Sequence, residues 1–113
     1  MHEIGLMQEA LDIALQHAAR QGARRIDRLT MRVGDASGVD AESLSLAFEV
    51  TTRGTIAEGA QLDVERIPAI CYCARCDLEF TSSDLACVCP GCQQVMVEVR
   101  SGGTLELGAV EMS

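Results

Sequence analysis

Cys71, Cys73 and Cys76 are spaced C-x-C-x-x-C, and Cys87, Cys89 and Cys92 repeat that spacing a short stretch later. No other feature constrains the chain as tightly. A C-x-x-C turn aims two sulfurs at one point, and two such turns facing each other complete a tetrahedron of thiolates. Cys89-Pro90-Gly91-Cys92 is well suited to a tight knuckle, because Pro90 and Gly91 favour the turn. Soft thiolates select zinc or iron–sulfur chemistry over hard cations. A mononuclear iron site would use the same ligands; zinc is the default reading, held by Cys73, Cys76, Cys89 and Cys92. Four thiolates close the coordination shell, so the ion is structural and not catalytic. A thioredoxin-like redox pair needs C-x-x-C at a helix start in a βαβ setting, and the flanking sequence does not offer one. Zinc binding in small modules contributes on the order of 10–16 kcal/mol, enough to order a segment that has little apolar material.

Cys71 and Cys87 are the surplus pair, each two residues ahead of a knuckle cysteine. The expectation for them is a small, partly buried hydrophobe. They could also compete as alternate ligands, or form a disulfide if their Cα atoms come within about 7 Å.

Upstream of this segment the pattern is ordinary. From Leu6 to Ala19 apolar residues fall at helical steps, with Leu6, Ala10, Ile13, Ala14 and His17 on one stripe and Met7, Leu11, Leu15 and Ala18 widening it. Gly22 ends that helix. Leu29, Met31 and Val33 then alternate with polar residues as in a half-buried strand, and residues 34–38 read as a turn. Asp40 is placed to cap a second helix whose buried face is Leu44, Ala47 and Phe48. Gly54 and Gly59 bracket a loop before a strand around Leu62 and Val64. Residues 104–112 form another strand, with a phase shift at Gly108 that suggests a bulge. The economical arrangement returns this last strand to the first sheet. The fold is therefore expected to be α+β, two helices with a small β-sheet and an inserted zinc-ribbon-like module built on four cysteines. Residues 1–67 and 104–113 make up the first domain and 68–103 the module.

Composition removes several function classes. No stretch approaches the roughly 20 apolar residues that span a bilayer, and the start lacks the basic and apolar runs of a secretion signal. A soluble, cytoplasmic protein is expected, with no membrane partner. Net charge is −8 and no lysine is present, which disfavours nucleic-acid binding. Arg20, Arg24, Arg25, Arg28 and Arg32 read best as a solvated helix end and the outer face of a strand; a docking patch for an acidic protein is the weaker reading. A zinc-ribbon adaptor for nucleic acid or protein would need a basic, aromatic face. Between Cys71 and Arg100 the sequence has Arg75 and Arg100 against Asp77, Glu79, Asp84 and Glu98.

Met1-His2-Glu3 gathers an α-amine, an imidazole and a carboxylate. With Met1 retained, its amine, the His2 amide nitrogen and the His2 imidazole form adjoining chelate rings that suit Ni(II) or Cu(II). Together, Met1-His2-Glu3-Ile4, the first helix, the Val33-Gly34 turn, Ala57-Glu58-Gly59-Ala60 and the paired knuckles resemble the HypA/HybF family, accessory proteins for nickel insertion into [NiFe] hydrogenases. The resemblance covers essentially the whole chain. It implies a nickel metallochaperone, not an enzyme, which binds Ni(II) as transferred cargo through Met1, His2 and Glu3. It assigns structural zinc to Cys73, Cys76, Cys89 and Cys92, as the spacing does. Asp40 carries over as an acidic residue near the nickel site, where it also reads as a helix cap; His17 is left out of the site. The partners implied are the GTPase of the same maturation pathway and the hydrogenase large-subunit precursor. Oligomeric state is left open, a homodimer included. Cys87 is an addition to the family pattern.

Overall fold

A computed structural model of the chain describes residues 2–82, 86–95 and 97–113. Its elements run in the order α1 (His2–Arg20), β1 (Ile26–Gly34), α2 (Ala41–Thr51), β2 (Gln61–Ile67), β3 (Ala69–Cys73), β4 (Leu78–Ser82), β5 (Glu98–Ser101) and β6 (Leu105–Met112). One sheet has the order β2-β1-β6 and the other β4-β3-β5. The last strand thus lies beside the first, as expected, and the cysteine segment is inserted between the two outer strands of that sheet, β2 and β6.

By contacts the chain divides into two compact units: residues 1–31, 40–65 and 106–113, and residues 32–39 with 66–105. The first is built on α1 and α2. Met7, Ala10, Leu11, Ala14 and Ala18 are buried on α1, and Leu44, Ala47 and Phe48 on α2. The second helix buries the face that the sequence assigns to it. The first does not. Its buried line runs through Met7, Leu11, Ala14 and Ala18, while Ile13 is 59% exposed and His17 is exposed. Apolar residues on both flanks of α1 make the sequence stripe broad enough to be centred on the wrong flank. α1 also begins at His2, four residues before the apolar pattern starts. The extra turn contains Glu3, an acid at the positive end of the helix.

Asp40 is an N-cap: its carboxylate accepts from the Ser43 backbone N–H at 3.0 Å and from the Ser43 hydroxyl at 2.7 Å. These bonds hold its acidity stronger than usual, the Ser43 side-chain bond contributing most. In β1, Leu29, Met31 and Val33 are buried in alternation. Arg28 on its outer side pairs with Asp63 of β2 at 3.2 Å and Glu111 of β6 at 3.0 Å. Arg28 is therefore neutralised by the neighbouring strands, which favours the solvated-face reading of the arginine cluster. Along β6 the burial alternation slips at Gly108 and Ala109, where the phase shift was expected.

Residues 32–39 group with the cysteine segment because of their backbone bonds. The amides of Gly34, Asp35 and Ala36 donate to the carbonyls of Thr104, Ile67 and Gly102. Arg66 closes the same region on Asp35 at 2.9 Å. Gly102 is necessary there: its φ is +75°, and a Cβ would collide with Pro68 and Ala69.

Candidate metal centre

In the cysteine unit, β3 pairs with β4 in antiparallel register, from Ala69 opposite Ser82 to Cys73 opposite Leu78. The hairpin closes through Ala74-Arg75-Cys76-Asp77, with Asp77 at φ +50°. The first C-x-x-C is thus a hairpin turn, anchored by a strand on each side. β5 flanks β3 on the other edge, pairing Cys71 with Val99 and Tyr72 with Glu98. The second knuckle has its own turn, with Gln93 N–H bonded to Cys89 C=O and Cys89 N–H to Gln94 C=O, both at 2.9 Å.

The two turns bring Cys73, Cys76, Cys89 and Cys92 together, with all four sulfurs within 4.8 Å of one another. Cys73 Sγ and Cys92 Sγ are 3.6 Å apart. A tetrahedral zinc–thiolate site with bonds of about 2.3 Å requires sulfurs about 3.8 Å apart, so the donor set fits such an ion in both chemistry and size. Cys73 and Cys89 are buried, Cys92 is half-buried and Cys76 exposed, which leaves one corner of the cluster open to solvent.

The surroundings of the sulfurs differ. Backbone N–H groups of Cys92 and Gly91 lower the Cys89 thiol to about 7, the Cys92 amide contributing most. The Gly91 amide lies 3.3 Å from that sulfur. Cys76 goes the other way, pushed up to about 12, first by its hydrogen bond with Cys92 and then by desolvation and Cys89. Four thiols this close cannot all ionise without a cation among them, so the cluster could hold a metal ion. Gly91 has a further role that the knuckle pattern does not reveal. A Cβ on it would lie 3.2 Å from Cys76 Sγ and 3.7 Å from Cys89 Sγ. The missing side chain lets the second knuckle close over the first.

Cys71 and Cys87 form a disulfide, with Cα atoms 6.2 Å apart. They are 0% and 1% exposed. The expectation of small, partly buried hydrophobes gives way to the disulfide left open for Cα atoms within about 7 Å, and both residues are fully buried. Their identical offset before each knuckle is the available signal, because facing knuckles bring equivalent positions face to face.

At the other end of the chain, Glu3 is only 9% exposed. Its carboxylate accepts the Asp40 backbone N–H at 3.3 Å and lies 3.9 Å from His2 Nδ1. His2 is exposed. The fold therefore places His2, Glu3 and Asp40 beside one another, although residues 4–39 separate them in sequence. Met1, the remaining candidate, lies outside the described residues. Glu3 is buried, and its carboxylate ties the start of α1 to the cap of α2.

No helix among the described residues is long and apolar enough to cross a membrane. Residues 1–112 match the family of hydrogenase/urease nickel incorporation metallochaperones, hypA. The hydrogenase maturation factor HypA of Picosynechococcus sp. is 47% identical over 112 residues, covering 99% of each chain. That of Syntrophus aciditrophicus is 38% identical over 112 residues, covering 99% of this chain and 97% of the relative. A solution structure of a HypA protein superposes with a TM-score of 0.71 at 25% identity, covering 100% of this chain and 97% of the other. The solution structure of the Ni metallochaperone HypA from Helicobacter pylori gives a TM-score of 0.68 at 23% identity, covering 97% and 96%. At that identity the likeness is one of fold.

Proposed function

We propose, from the premise that this chain belongs to the HypA family of hydrogenase/urease nickel incorporation metallochaperones, that it takes up Ni(II) at its amino-terminal end and passes it on for assembly of the [NiFe] hydrogenase centre. The family is one of metallochaperones and not of enzymes. The observation that carries the nickel reading is the placement of the exposed His2 imidazole next to the Glu3 carboxylate at the start of α1. The cargo would be held by the Met1 amine, the His2 amide nitrogen and imidazole, and the Glu3 carboxylate. An amide in the first turn of a helix has no intrahelical acceptor, so binding there breaks no helical bond. The helix end itself repels a cation, and Glu3 offsets that repulsion. Asp40 acts through its backbone, which orients Glu3, while its carboxylate is committed to Ser43. This is the role we assign it in place of direct ligation.

Zinc would be held by Cys73, Cys76, Cys89 and Cys92, where it supplies structural cross-linking. Nitrogen and oxygen donors bind Cu(II) more tightly than Ni(II), so choice of nickel falls to the partners and to metal supply in the cytoplasm. The partners in this reading are the maturation GTPase and the hydrogenase large-subunit precursor, with a homodimer compatible. Equilibrium dialysis of untagged protein against Ni(II), alongside zinc analysis, tests the assignment. One nickel site lost in His2→Ala, with zinc content unchanged, is the expected result; a nickel site that survives this substitution refutes it.

A further inference from the structure

The disulfide sits at the centre of the cysteine unit. Ala69, Cys71 and Cys87 are its buried cluster, with Ala36, Phe80 and Val97 packed around them. Cys71 shares one face of β3 with Cys73, because the two alternate in step along the strand. Cys87 precedes Cys89 by the same two residues, so the bond joins the strand that carries the first knuckle to the segment that carries the second. It spans a sequence separation of 16.

We propose that Cys71–Cys87 is a reducible clamp that sets how tightly the neighbouring sulfur cluster holds its metal; this rests on the reading of that cluster as a zinc site. With the bond intact, the knuckles remain opposed when the ion leaves, and rebinding orders little chain. With the bond cut, the second knuckle is joined to the first only through the chain on either side of it, and binding must repay the entropy of bringing the two together. The cut is made by a dithiol. One of its thiolates attacks a sulfur of the disulfide, forms a mixed disulfide and expels the other cysteine as a thiolate. Its second thiol then displaces the bound cysteine, leaving two reduced cysteines and a cyclic disulfide; two electrons and two protons pass to the protein. A low-molecular-weight disulfide reverses the exchange. In a reducing compartment, disulfides that do occur are mostly catalytic or redox-sensing, which is the setting such a clamp requires.

Burial makes the device conditional. Attack requires the cluster of Ala36, Phe80 and Val97 to open, and a bound ion opposes that opening. Coupling is reciprocal: the factor by which the disulfide tightens zinc binding is the factor by which zinc protects the disulfide at equilibrium.

The test is competition for Zn(II) between the whole chain and a chromophoric chelator, with the disulfide intact and after reduction and removal of the reductant. We expect zinc affinity about ten- to a hundredfold lower in the reduced chain, the scale of the loop-closure effect. The Cys71→Ser/Cys87→Ser variant should match the reduced chain and ignore the reductant. Independently of any variant, zinc should slow cleavage of the wild-type disulfide by dithiothreitol, read by alkylation and mass. Equal zinc affinity in the two redox forms, or cleavage indifferent to zinc, overturns the clamp alone. Failure of both forms to take up zinc overturns the site assignment and the clamp with it.

Discussion

The helical unit and the cysteine unit solve the problem of stability in opposite ways. In the first, Met7, Leu11, Ile26, Leu29, Met31, Leu44 and Phe48 share the interior, and Ala10, Ala14 and Ala18 keep the face of α1 smooth. Many modest apolar contacts add up, and no single one decides the fold. In the second, the buried cluster is Ala69 and a disulfide, fringed by Ala36, Phe80 and Val97. Order there depends on a few sulfur atoms. Each unit is accordingly vulnerable in its own way: the first to loss of volume, the second to loss of a ligand, a proton balance or a bond.

The largest expected effect is in the sulfur cluster. Cys89→Ala should release zinc altogether and remove amide-exchange protection from the second knuckle, because three thiolates leave the shell open and the ion contributes on the order of 10 kcal/mol. The helical circular dichroism should persist. Stoichiometric zinc in Cys89→Ala together with zinc loss in Cys87→Ala would reverse the ligand assignment. The matching perturbation of the helical unit is Leu11→Ala, at a position that is 0% exposed. It should cost about 2–5 kcal/mol in denaturant unfolding of the helices and leave zinc stoichiometry intact. A cost near zero would mean that the aliphatic core is not what holds that unit.

A smaller effect sharpens the geometry of the knuckles. Gly91→Ala should weaken zinc binding by about tenfold, the scale seen when the surroundings of metal ligands are disturbed. The new methyl group would press on Cys76 Sγ at 3.2 Å. Unchanged affinity would show that the knuckles close with room to spare.

Smallest is the pH response of the metal-free cysteine unit. Cys89 falls from 9.0 to about 7 in the fold, so its stabilising contribution is complete above pH 9 and disappears as pH drops through 7. Cys76 rises from 9.0 to about 12, so its contribution is complete below pH 9 and is lost as pH rises through 12. Metal-free protein should therefore lose stability in both directions from about pH 9, read by amide exchange in β3 and β5. A flat profile between pH 7 and 9 would exclude the hydrogen bonds to Cys89 as the cause.

The two units are also unequally legible. Asp40, Leu44, Ala47 and Phe48 announce α2, since a cap and one apolar face leave little choice of phase. The return of β6 to β1 follows from economy of connection. On α1, Ile13 and His17 draw the stripe towards solvent because apolar residues lie on two sides of that helix. Glu3 is also buried, with its carboxylate against the Asp40 amide. Hydrophobic periodicity carries no information about such a bond. The meeting of the four knuckle sulfurs is written in their spacing; the Gly91 contact with Cys76 depends on how two turns face each other, which spacing does not record.

In the proposed function, nickel is taken up at the amino terminus and zinc at the cysteines. A short Gly-Ser extension ahead of Met1 tests it most directly, because it converts the α-amine into an amide, a poor donor at neutral pH, and leaves every other proposed ligand in place. Equilibrium dialysis against Ni(II), with zinc analysis and circular dichroism as controls, is the measurement. The expected result is loss of high-affinity nickel binding with zinc content and helicity unchanged. Nickel bound as tightly by the extended chain as by the native one would exclude the amino-terminal site.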